Sequence, residues 1–164
     1  MDAIDTSILI WGVKRQSPPD RPDIVDRCIA LLDMLKSKHS VIMVPSIVVA
    51  EYLADFPPDK QEEQRRIFGR HFFVALFDAG AAAIVGQIYS KKNMQEAQST
   101  GNACRQCVKA DLNIIATTIT HHASRIYTDN TKHFKILACG RIIVEGIPPL
   151  PLPTETQQGL GFGQ

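Results

Sequence analysis

Short apolar runs recur along this chain, and segments with helical spacing lie between them. Residues 3–10 hold Ile4, Ile8, Leu9 and Ile10 around a polar Asp5-Thr6-Ser7, and read as a first buried strand. Residues 41–44 form a second run, bounded by Ser40 and Pro45. Residues 124–128 form a third around Ile126 and Tyr127, and residues 141–144 a last. Between them, Ile24, Cys28, Leu31, Leu32 and Leu35 trace one helical face over 24–38. Cys107, Ala110, Ile114, Ile115, Thr118 and Ile119 trace another over 104–121. Ser46 reads as the N-cap of a helix that carries Glu51 and ends at Phe56-Pro57-Pro58. Residues 60–77 and 79–90 read as further helical stretches, 91–102 as a polar loop and 132–137 as a helical turn. Strands alternating with helices predict an α/β fold with a central parallel sheet flanked by helices.

The 164 residues fit one domain, expected over 1–147, and from Pro148 the chain turns Pro- and Gly-rich, so 148–164 reads as a disordered tail. Net charge is +1, so no bulk field announces a nucleic-acid binder, although a local basic rim can act without one. The opening MDAIDTSILIWG carries acids where a secretory signal carries Lys or Arg. The longest apolar stretch, 72–89, is interrupted by Asp78, Gln87, Gly80 and Gly86. It reads as a buried helical region rather than a membrane span, and the setting as cytoplasmic with no membrane partner. In that compartment the four cysteines are expected as thiols. Cys104 and Cys107 have metal-ligand spacing, and His121, His122 and His133 complete a zinc site on paper. No second CxxC follows, so core and surface roles are the preferred reading.

In an open α/β sheet, ligands bind outside the carboxyl ends of the strands. Asp5 sits within an apolar segment, where a carboxylate is costly unless it is paired, hydrogen-bonded or bound to a cation. The residues after it suggest a turn there and then a helix, which puts Asp5 at a strand's carboxyl end. Glu51 lies on the helix after the second strand, Asp111 where its helix becomes strongly apolar, and Asp129-Asn130 directly after the strand around Ile126. Each alone has an ordinary reading: a cap, an exposed helix acid or a turn former. Together they offer one oxygen ligand per α/β unit at one end of a sheet. Clustered carboxylates repel and need a cation or a shared proton, and their hard oxygens suit Mg²⁺ or Mn²⁺. No arrangement suits a Ser or Cys nucleophile, and neither GxxxxGK[ST] nor GxGxxG occurs.

Four stretches carry a resemblance in order: Ile4-Asp5-Thr6-Ser7-Ile8-Leu9-Ile10, Pro45-Ser46-Ile47-Val48-Val49-Ala50-Glu51, Ala110-Asp111-Leu112-Asn113-Ile114-Ile115-Ala116-Thr117 and Ile126-Tyr127-Thr128-Asp129-Asn130-Thr131-Lys132-His133-Phe134. The chain resembles the PIN domain family, particularly the short prokaryotic proteins that include the VapC-type toxins. The resemblance implies a Rossmann-like sheet with the acids at its carboxyl end, and Mg²⁺- or Mn²⁺-dependent cleavage of RNA. It makes Asp5, Glu51 and Asp111 metal ligands, with Ser7 and Thr128 assisting. The fourth position falls on Asn130 or, beside it, Asp129. A neutral Asn130 would hold a second metal less firmly, whereas Asp129 would complete an acidic quartet. Homodimers and an inhibitory antitoxin peptide are family habits.

Candidate RNA contacts are Lys14, Arg15, Lys91, Lys92, Arg105, Lys109, Lys132 and Lys135, with Lys109 foremost because it neighbours Asp111. Trp11 and Tyr127 offer stacking surfaces, with core packing their ordinary fate. The competing reading is a catalytically weak PIN module that binds RNA or a protein partner. A metal-dependent phosphohydrolase is disfavoured because no DxDxT motif follows the first strand.

Overall fold

The computed structural model describes residues 1–101 and 105–150, with the side chains of Lys92, Thr100 and Arg105 left out. Its strands are β1 (Asp2–Ile4), β2 (Ile42–Pro45), β3 (Phe73–Ala75), β4 (Arg125–Tyr127) and β5 (Ile143–Glu145). They form one sheet in the order β3-β2-β1-β4-β5, and every neighbouring pair is parallel. The helices are α1 (Thr6–Gly12), α2 (Ile24–Ser37), α3 (Ser46–Ala54), α4 (Pro58–His71), α5 (Ala79–Ile88), α6 (Lys91–Gly101), α7 (Arg105–Thr120) and α8 (Thr131–Ala138). The α/β sheet flanked by helices is therefore the observed architecture.

Ala3, Ile4, Met43, Val44 and Ile126 on the inner strands are fully buried. Leu31 and Leu35 of α2, Ile114 and Ile115 of α7, and Phe134 and Leu137 of α8 join them in one core. The parallel strands are short and covered by helices, as such sheets require.

The first apolar run is not one strand. β1 ends at Ile4, and α1 starts at Thr6. A short apolar run does not by periodicity alone separate a buried strand from a buried helix. Here Asp5 makes the break: extended at φ −88° and ψ 167°, it caps α1 by accepting from Thr6 N at 2.7 Å. Gly12 closes α1 against α2, where a Cβ would stand 2.9 Å from Leu32 Cδ1 and 3.2 Å from Cys28 Cβ.

Three further expectations need correction. The helix predicted over 60–77 stops at His71, and Phe72 turns extended to start β3, whose Val74 pairs with Val44. Aromatic and branched residues suit a sheet edge, and the partner strand decides the outcome. Of the polar 91–102 segment, residues 91–101 form the helix α6, with Ser90 Oγ accepting from Asn93 N and with Met94 and Ala97 buried. Ser46 is the first helical residue after Pro45 rather than the cap, and its hydroxyl accepts from Phe77 N.

The apolar stretch 72–89 is not buried throughout: Leu76 is 64% exposed, and Phe73, Phe77 and Tyr89 are exposed with it. Among the described residues, no helix is long and apolar enough to cross a membrane. Cys28 and Cys139 are thiols, but Cys107 is disulfide-bonded, which corrects the expectation of four thiols. The carbonyls of Ile147 and Pro148 accept from the Arg27 guanidinium, while residues 151–164 of the expected tail lie outside the described residues.

Lys14 belongs to the fold. Its side chain is 6% exposed, its ammonium lies 2.9 Å from Asp55, and it sits 4.5 Å and 4.4 Å from the ring centroids of Tyr52 and Phe56. A desolvated cation over two rings is worth roughly 2 kcal/mol. Lys14→Ala should lower urea-measured stability by about that amount and leave RNA affinity unchanged. Unaltered stability with weakened RNA binding would return Lys14 to the list of RNA contacts.

Candidate active site

The chain leaves β1 toward β2 on one side and later inserts β4 on the other. The carboxyl ends of β1 and β4 therefore flank the point where the strand order reverses, which is where an open α/β sheet leaves a crevice. Asp5 follows β1 and Thr128 follows β4. Thr128 Oγ1 donates to Asp5 Oδ2 at 2.8 Å, and Ser7 Oγ lies 3.3 Å from the same oxygen. The Asp5 amide donates to the Tyr127 carbonyl at 3.0 Å, fixing the strand ends beneath. Both polar residues singled out with Asp5 thus stand on its carboxylate.

Glu51 lies on α3 and is exposed, and its carboxylate accepts from Thr6 Oγ1. Asp111, on α7, is partly buried, and its Oδ2 lies 3.1 Å from His133 Nδ1. The Asp5 carboxyl is pushed up from 3.8 to about 7, first by burial and then by the negative field of Asp111, with a smaller contribution from Glu51. Hydrogen bonds from Thr128 and Thr6 pull the other way. Elements distant in sequence thus bring Asp5, Glu51 and Asp111 into one electrostatic neighbourhood.

The two residues at the fourth position diverge. Asp129 is exposed and its Oδ2 accepts from Arg21 at 2.7 Å; the Arg21 guanidinium lies 5.3 Å from the Trp11 ring centroid. Asn130, the residue before α8, donates its backbone N–H to Thr128 Oγ1 at 3.1 Å, and its Nδ2 lies 2.9 Å from His133 Nδ1. Asn130 is therefore linked to both Asp5 and Asp111 through single side chains, whereas Asp129 is held by the 14–23 loop.

His133 is the residue the sequence reading missed, having considered it only for zinc. It is buried and touches both Asp111 and Asn130. The available signal was spacing: three residues along a helix place Asn130 and His133 on one face. Thr6 was likewise passed over beside Asp5. Of the other paper zinc ligands, His121 faces the Leu76 carbonyl at 2.9 Å and Cys104 lies outside the described residues.

Among the candidate RNA contacts, Lys109 is exposed on α7, but two residues along a helix is about 200° around it, so Lys109 and Asp111 face apart. Arg15 is exposed and lines a cavity of about 370 Å³ with Leu32, Lys36, His71 and Phe72, against α2 and α4 rather than the acids. Lys91, Lys132 and Lys135 are exposed. Tyr127 is buried in the core and Trp11 packs partly against it.

The donor chemistry suits a hard divalent cation: carboxylate oxygens around a buried acid whose ionised form the surroundings oppose. Among the described residues, no three His, Cys, Asp or Glu side chains stand together as a ready-made metal cluster. Glu51, turned to Thr6, is the exposed and adjustable member.

The sequence profile of the PIN domain matches residues 3–138. The chain belongs to the PIN domain family, a family of nucleases that generally use divalent metal ions. Its fold is similar to a chain in the crystal structure of VapBC2 from Rickettsia felis bound to a DNA fragment from their promoter. The TM-score is 0.58 at 19% sequence identity, covering 88% of this chain and 97% of that one. No curated protein matches the chain.

Proposed function

We propose that this chain is a metal-dependent endoribonuclease. Asp5, Glu51 and Asp111 would hold Mg²⁺ or Mn²⁺, which when bound lowers the pKa of its water and stabilises charge developing on an RNA phosphodiester. Ser7 and Thr128 orient the Asp5 carboxylate through their hydroxyls. The observation that carries the reading is Asp5 itself: a buried carboxyl raised to about 7, facing Asp111 at the reversal point of the sheet. Perturbed acids in such a crevice mark functional sites. The test is cleavage of single-stranded RNA by the wild-type chain and Asp5→Asn, with Mn²⁺ or with chelator. Equal cleavage by both proteins, or none with any metal, would sink it.

For the fourth position we favour Asn130, because the Asp129 carboxylate is occupied by Arg21. Asn130→Ala should weaken Mn²⁺ binding and cleavage about tenfold or more, and Asp129→Ala much less. The reverse order would make Asp129 the ligand. A neutral fourth ligand also favours the weaker second reading, an RNA- or protein-binding module with little catalysis; RNA binding without metal-dependent cleavage would select it.

The family and the VapBC2 likeness support a toxin with an antitoxin partner, and a cytoplasmic setting is part of the same proposal. Unchanged growth on expression of the chain alone would count against that role. The exposed apolar side chains Phe73, Leu76 and Phe77, in and just after edge strand β3, support a homodimer through that edge. Sedimentation as a monomer at micromolar concentration would refute the dimer.

A further inference from the structure

His133 presents two facts that need one explanation. Its Nδ1 lies 3.1 Å from Asp111 Oδ2 and 2.9 Å from Asn130 Nδ2, while its Nε2 is buried with no hydrogen-bond partner. The ring is fully enclosed and meets Phe134 edge-on at 6.4 Å between centroids. A proton on Nε2 fails twice: a buried N–H has no acceptor, and the Nδ1 lone pair faces a carboxylate oxygen. A proton on Nδ1 turns the 3.1 Å contact into a charge-assisted bond and leaves only one lone pair unpartnered. The Asn130 amide, whose nitrogen and oxygen are interchangeable by shape, then turns Oδ1 toward the ring N–H with one lone pair, and the other stays open for a cation.

We infer that His133 is a positioning residue, carrying its proton on Nδ1 and holding the Asp111 carboxylate in the orientation from which it binds the cation. The inference rests on the proposed metal role of Asp111. Outer hydrogen-bond partners of this kind orient ligands and commonly change metal affinity 10–100-fold. The ring also bridges elements: β4 ends at Tyr127, α8 carries His133, and α7 carries Asp111. The contact therefore ties α8 to α7 beside Asp111 as well as fixing a rotamer.

The arrangement has an opposite-sign signature. Phenylalanine at 133 fills the same enclosed volume and removes the orphaned Nε2, so it relieves a buried unpaired polar atom. It also removes the donor to Asp111. Asparagine can place an amide N–H near the position of ring Nδ1.

The experiment measures Mn²⁺ affinity by electron paramagnetic resonance, and thermal midpoint without metal, for the full-length wild type, His133→Phe, His133→Leu, His133→Asn and Asp5→Asn. The expected result is a 10–100-fold loss of Mn²⁺ affinity for His133→Phe and His133→Leu. The thermal midpoint of His133→Phe should be unchanged or higher, and His133→Asn should keep affinity within about threefold of wild type. Nitrogen NMR of the metal-free wild type should find the proton on Nδ1. Wild-type affinity in the Phe and Leu variants, equal losses in all three His133 variants, or a proton on Nε2 each overturns the inference and leaves the nuclease reading standing. A wild type that binds Mn²⁺ no better than Asp5→Asn overturns the metal site itself, and the role of His133 with it.

Discussion

Asp5→Asn is expected to abolish metal-dependent RNA cleavage and, at pH 8, to make the metal-free protein more stable than wild type. The two effects have one cause. Asn is isosteric, keeps an oxygen for the Thr6 amide and is as good a helix cap as Asp. Thr128 Oγ1 can accept from the new amide as well as from Asn130 N. What disappears is the charge. In the wild type, the folded state holds the Asp5 proton up to about pH 7, while an unfolded chain releases it near 3.8. Between those values the folded state binds more protons, so stability falls as pH rises through the window. Each pH unit costs about 1.4 kcal/mol, and the whole window about 4 kcal/mol as an upper bound. Asp5→Asn escapes this loss, so its advantage should be absent near pH 4, grow through the window and level off above pH 7. Cleavage should drop by about 10³-fold or more, because the lost charge is the one a cation would bind. Urea titrations at pH 4.5, 6 and 8, beside a cleavage assay, would read both. A variant less stable than wild type at pH 8 would mean that Asp5 serves the fold through its charge.

Asp5 also shows how far the sequence could carry the site. An acid inside an apolar run was anomalous on physical grounds alone, and the turn after it was written in Thr6-Ser7. Glu51 and Asp111 lacked such a signal. Each is an ordinary helix acid until the sheet order brings α3 and α7 to the same end of the fold, and only the family pattern pointed to them. Asp129 and Asn130 were inseparable because their difference is made by Arg21, which reaches over from a loop 108 residues away. No local rule of strand and turn contains that partner. The same limit applies to the fold. The inner strands were legible as short apolar runs, the first of them read too long, α2 and α7 from helical periodicity, and α8 only as a helical turn. β3 was hidden because its strand character depends on β2, and α6 because, among its described side chains, only Met94 and Ala97 are buried in a polar stretch.

Metal binding is expected to release about one proton at pH 6 and almost none at pH 8. A cation takes the ionised carboxylate, and at pH 6 most metal-free molecules carry a proton on Asp5, whose carboxyl is raised to about 7. Below that value affinity for Mn²⁺ should fall close to tenfold per pH unit, and above it level off. Calorimetry in two buffers of different ionisation enthalpy reads the proton count directly. Asp5→Asn serves as the control, because any proton still released in it comes from another group or from metal-bound water. Flat affinity from pH 5.5 to 8 with no proton release would mean that Asp5 is already ionised without metal, or that the cation does not bind it. The two are separable, since an ionised Asp5 would also remove the pH dependence of stability. A cation that displaces this proton restores stability where the metal-free protein is weakest, so the thermal shift produced by Mn²⁺ should be larger at pH 8 than at pH 5.5. Fold and site are thus in tension at Asp5: the sheet buries a carboxyl that the metal-free fold prefers protonated, and binding the cation reverses that preference.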